Sequence, residues 1–103
     1  MKEIMEIVEH VEEEIQDAKE YATLAAHYKG KHDALSATYL ELAQQEMVHM
    51  EKLHQRAAEI IMQHRKEHGE PPKEMMAVYD WEHKKHMEKA GEARALIDLV
   101  KAK

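Results

Sequence analysis

The chain has no cysteine and no phenylalanine, and its 103 residues include only three glycines, two prolines and one tryptophan. Without cysteine it can form no disulfide, thiolate nucleophile, iron–sulfur cluster or rubredoxin-type centre. So few glycines and prolines leave most of the chain without a residue that stops a helix. Long apolar runs are missing too, and the residues after Met1 are charged and amphipathic, so neither a spanning helix nor a secretory leader is expected and a cytoplasmic setting fits. Positive charge is in deficit, with a net charge of -6 and a pI of about 5.8. Without a clustered positive field, nucleic acid is not an expected partner. Leu, Ile and Val are scarce, 18 residues in all, a share that alone would suggest disorder. Patterning overrides that composition, because alanine and the eight methionines add apolar surface at helical spacing.

Two punctuation points divide the chain, KGKHD at residues 29–33 and GEPP at 69–72. They predict one all-α domain over 1–103, with helices at 2–29, 34–67 and 73–101, Asp33 as the N-cap of the second and Gly91 as a bend in the third. Each helix carries a stripe in steps of three and four. The first reads Ile4, Ile7, Val11, Glu14, Ala18, Tyr21, Ala25, Tyr28, and the second reads Leu35, Tyr39, Leu42, Glu46, His49, Leu53, Ala57, Ile60. The third reads Met76, Tyr79, His83, His86, Ala90, Ala93, Ile97, Val100. All three stripes contain ionisable residues where Leu or Ile would pack better, and an unpaired buried charge is costly.

Glu46 and His49 are three residues apart, about 60° in azimuth and about 4.5 Å in height on an α-helix, so one ion can touch both. Glu-x-x-His alone is a weak signal. Its strength here comes from the first helix. Relative to a loop centred near residue 31, Glu14 lies 17 positions before, and Glu46 and His49 lie 15 and 18 after. A straight antiparallel hairpin therefore brings the three to one level. Because that level is midway along the hairpin, a two-fold axis there would join two hairpins into an antiparallel four-helix bundle with paired Glu14, Glu46 and His49. Four carboxylates would balance two divalent ions, and open coordination positions would remain for water, dioxygen or peroxide.

At these residues the chain resembles the ferritin-like superfamily, and its rubrerythrin branch in particular. EEEIQDAKEYATLA at 12–25 is similar to that family's first helix, with a metal-binding Glu followed seven residues later by an aromatic. LELAQQEMVHMEKLH at 40–54 is similar to its second helix. The resemblance implies a four-helix di-iron fold with Glu14, Glu46 and His49 as iron ligands, in a family whose members oxidise ferrous iron or reduce peroxide. Only one Glu-x-x-His helix serves the site, so the closer analogues are short ferritin-like proteins, of the kind met in bacterial and phage genomes, that dimerise to complete it. The expected cofactor is two non-haem iron ions per homodimer, with manganese or zinc as alternatives. The competing reading is a non-catalytic interaction or structural protein with a structural metal or none.

The remaining candidates have plainer readings. His83 and His86 are further metal ligands only if a partner chain or a bent helix carries them some 8 to 15 Å, at about 1.5 Å per residue. Otherwise they form a separate site with His54 or are hydrogen-bonded interface histidines. Tyr21 and Tyr39, each a heptad from a candidate Glu, read as core packing, with a redox relay as the alternative. The methionines read as gap fillers. Glu12 and Glu13 belong to a solvated face with Asp17 as an outer neighbour of the site, Glu51 and His54 fall off the seam and read as solvated, and Glu82 lies off the preferred seam.

Overall fold

The computed structural model describes residues 2–102, and these form three α-helices: α1 at Lys2–Tyr28, α2 at Asp33–His68 and α3 at Lys73–Ala102. Each boundary lies within a residue of its predicted position, and α3 runs unbroken through Gly91. In the first turn, Gly30 takes the left-handed conformation (φ 80°), which is open to a residue without Cβ. His32 and His32's neighbour share the capping. The His32 ring accepts from the Leu35 amide at 3.4 Å, whereas the Asp33 carboxylate turns back to accept from the Gly30 amide at 2.8 Å. His32, not Asp33, is thus the N-cap. In the second turn, Gly69 (φ 80°) closes α2 through its amide to the Arg65 carbonyl, and the Pro71–Pro72 pair prevents continuation.

The hairpin of α1 and α2 is antiparallel, and its register is set near the turn, where the Ser36 hydroxyl donates to the Ala25 carbonyl at 2.6 Å. Helix α3 runs parallel to α1, tied by Lys19 to Glu92, Lys89 to Glu12, and the Lys29 ammonium to the Val100 carbonyl. Helix α1 therefore lies between the other two along most of its length. The result is an elongated rod of 55 × 19 × 18 Å, about as long as the 36 residues of α2 at 1.5 Å each.

The larger core cluster joins Val11, Ile15, Ala18 and Ala22 of α1, Ala43, Met47 and Met50 of α2, and Ala90, Ala93 and Ile97 of α3. A smaller one joins Ile4, Val8, Ala57 and Ile61, with Met76 and Tyr79 against it. Alanine at so many contacts lets the backbones approach closely, and Met47 and Met50 fill the gaps, as expected of methionine. The α3 stripe was read correctly from His86 to Val100, all buried. In α1 the stripe holds at Ile4, Val11, Ala18 and Ala25 and in α2 at Ala57, while the other buried positions lie one residue further on, at Val8, Ile15 and Ala22 and at Ser36, Ala43, Met47, Met50 and Ile61. The cause is α3. It covers one flank of the hairpin and draws the core toward itself, leaving Glu14, Tyr21, Tyr28, Leu35, Tyr39, Leu42 and Glu46 half-buried on the other flank.

Candidate metal centre

Glu14 stands midway along α1, and Glu46 and His49 stand on successive turns of α2 facing it. The His49 Nδ1 atom lies 3.3 Å from a Glu14 carboxylate oxygen and 3.7 Å from one of Glu46. One ligand atom from each of the three fits within a span of 4.8 Å, close enough for a single cation to bridge them. The two carboxylates are largely shielded, with side chains 20% and 17% exposed, whereas His49 is 53% exposed. One turn nearer the loop, Tyr21 and Tyr39 stack at 6.1 Å, and Tyr28 stacks on Tyr39 at 6.1 Å. These rings hold the register in which the acidic groups meet. Their placement is the packing expected of them, although at the edge of the core.

The electrostatics of this cluster are strained. The Glu46 carboxyl is pushed up to about 7, first by a hydrogen bond with Glu14 that requires a proton, then by burial and by the Glu14 charge; His49 opposes the shift and Asp17 adds to it. Among the described residues neither Glu14 nor Glu46 forms an ion pair with a lysine or arginine. Two acids compelled to share a proton, beside an imidazole and with no lysine or arginine paired to them among the described residues, form a donor set suited to a divalent ion of the hard to borderline kind.

A second Glu–Glu–His group lies on the opposite flank of α1, where Glu12 meets Glu82 and His86 of α3, again within a 4.8 Å span. The His86 side chain, only 4% exposed, has carboxylate oxygens of Glu12 at 3.2 Å and of Glu82 at 3.8 Å. Here the negative charge is already met. Lys89 donates to Glu12 at 2.8 Å, Lys85 pairs with Glu82 at 3.3 Å, and the Glu12 carboxyl is held below its usual range by Lys89 and then His86. This group clamps α3 onto α1.

Several expectations are thereby corrected. His83 and His86 do not join Glu14, Glu46 and His49: His86 turns to Glu12, and the His83 ring stacks on His54 with centroids 4.4 Å apart. Their parent helix lies on the far flank of α1, and nothing bends it across. Glu12, although its side chain stays partly solvated, is also an interhelical anchor, Glu82 belongs to the clamp, and His54 is half-buried in a cleft with Ile7, Val8, Val11, Ala57, Tyr79, His83 and His86. Glu51 pairs with Arg94 at 3.2 Å. The i, i+4 spacing of Glu82 and His86 was visible in the sequence, but its partner on α1 was not. No helix among the described residues is long and apolar enough to cross a membrane. Set against family models, curated proteins and solved structures, the chain matches none of them.

Proposed function

We propose that the chain is a ferritin-like, non-haem di-iron carboxylate protein in which Glu14, Glu46 and His49 hold iron at a site completed by a second copy. The observation that carries this reading is the convergence of three ligand atoms on a proton-sharing, cation-deficient point. The half-buried flank beside it, with Tyr21, Tyr28, Leu35, Tyr39 and Leu42, supports the dimer, because apolar surface left by α3 on that side is available to another hairpin. An antiparallel pair would overlay two clusters at mid-rod, giving four carboxylates and two imidazoles for two divalent ions. Bound iron supplies one-electron chemistry toward dioxygen or peroxide. The chain's own part is to displace the shared proton from the Glu46 carboxyl when the ion arrives, to hold the carboxylates at fixed spacing, and to keep His49 at the open side, where solvent and small oxidants arrive.

Anaerobic loading with ferrous ion followed by air tests this directly. A transient visible absorption, one iron per chain and a dimeric solution mass are expected, all three lost in Glu46→Ala. Zinc-dependent dimerisation without any oxygen reaction would instead assign the ion a structural role. A protein whose mass and melting temperature ignore chelators, and whose Glu46→Ala variant behaves as wild type toward iron, would end both readings.

A further inference from the structure

The first half of α3 is held differently from the second. From Lys89 onward, α3 lies on α1 through Ala90, Ala93, Ile97 and Val100, reinforced by Lys89 to Glu12 and Lys19 to Glu92. Before His86 it leans on the smaller core cluster through Met76 and Tyr79, and on α2 through a stack of rings: Tyr79 on His83 at 6.0 Å and His83 on His54 at 4.4 Å, the imidazoles only 13° from parallel. Stacked neutral imidazoles pack well, but two imidazoliums at that distance repel.

The surroundings offer the pair no compensation. From α1 the cleft receives Ile7, Val8 and Val11, and from α2 Ala57. Glu12 and Glu82, in the neighbouring clamp, are turned to His86, Lys89 and Lys85, and Glu51, three residues before His54, pairs with Arg94. Tyr79 is kept neutral, burial and Asp80 pushing its phenol up. Among the described residues no buried side-chain nitrogen or oxygen lacks a partner, so the unpartnered ring nitrogens of the pair touch solvent and can take up protons. His54 is shifted below its ordinary 6.5, by burial first and then by the charges of His83 and His86. A base held down in this way adds stability above its unfolded value and loses it as the pH falls from there through its lowered folded value.

We propose that the His54–His83 stack is an acid-sensitive latch, which releases the first half of α3 from α2 while the second half stays on α1. His86 differs from the pair, since its ring faces the carboxylates of Glu12 and Glu82. Release uncovers the apolar patch of Ile4, Val8, Ala57 and Ile61, which Met76 and Tyr79 otherwise cover.

Amide hydrogen exchange on the full chain, corrected for intrinsic pH dependence, reads the two halves separately. Between about pH 7.5 and about pH 5.5, amides of residues 76–84 should lose protection severalfold, while those of 90–100 hold theirs. His83→Phe keeps a ring in the stack without the second charge and should lose less protection than the wild type between the two pH values. Equal protection of 76–84 at both pH values in the wild type, loss in both halves together, or unchanged acid sensitivity in His83→Phe would each overturn the latch. Should that variant not fold, the nuclear magnetic resonance titration of His54 in the wild type decides: a midpoint below 6.5 supports the latch, and one at or above it removes it.

Discussion

Two groups with the same three side chains, two glutamates and a histidine, flank α1 on opposite sides and differ in what surrounds them. Glu12, Glu82 and His86 have Lys85 and Lys89 within ion-pairing distance, and Glu12 ionises more readily than usual. Glu14, Glu46 and His49 have no such neighbours, and Glu46 holds its proton to about pH 7. A ligand constellation is therefore not a metal site by composition. The same donors become a structural clamp when the chain supplies its own cations, and an unneutralised, proton-sharing group when it does not.

The largest expected effect breaks this comparison at metal affinity. Glu46→Ala should weaken binding of ferrous or zinc ion by about 100-fold or more, at the upper end of what even outer partners of metal ligands contribute. Glu12→Ala should leave it unchanged. Titration calorimetry on the full-length protein separates the two, and equal losses would mean that the lysines do not protect the second group. The next effect is on stability without metal. Glu14→Leu removes a repelling carboxylate and adds apolar surface, so it should raise unfolding free energy by about 1 kcal/mol or more. Glu12→Leu strips the buried His86 and Lys89 of a partner and should lower it by about 1–2 kcal/mol. Denaturation in chelator measures both, and opposite signs are required.

Much of this was readable in advance, and all but one of the failures share one cause. The two turns, the three helices and the antiparallel register of α1 and α2 followed from KGKHD and GEPP, because local turn chemistry and loop symmetry carry that information. Hence Glu14, Glu46 and His49 were found together. What depends on where α3 lies was not legible. Its contact with α1 adds Val8, Ile15 and Ala22 to the buried line and pairs Glu12 with His86 and Lys89, whereas the level of His83 with His54 did follow from counting out from the second turn. A heptad pattern tells which residues share a face, but two adjacent faces of an alanine-rich helix are nearly equal in hydrophobicity, and only the third element chooses between them. One failure stands apart from that cause: His32 displaced Asp33 as the cap for a local reason, since the Asp33 carboxylate was taken by the Gly30 amide.

The smallest effect sharpens the comparison through pH. In the metal-free protein the Glu46 carboxyl is raised from 4.5 to about 7, so the folded chain binds that proton more tightly than the unfolded chain. Its contribution is complete below about pH 4.5 and is lost as the pH rises toward 7. Glu12 is shifted the other way, so its contribution is present above 4.5 and is lost only as the pH falls below that value. The difference in unfolding free energy between wild type and Glu46→Gln, followed from about pH 4 to 8 in chelator, should therefore decline over the upper part of that range. The corresponding difference for Glu12→Gln should be flat there and change only at the acid end. Taking differences removes the His54–His83 contribution, which runs against that of Glu46 over the same range and is common to both variants. Adding a divalent ion should abolish the decline for Glu46, because the ion takes the place of the proton, and a decline that survives metal would separate the proton-sharing carboxylates from the bound ion.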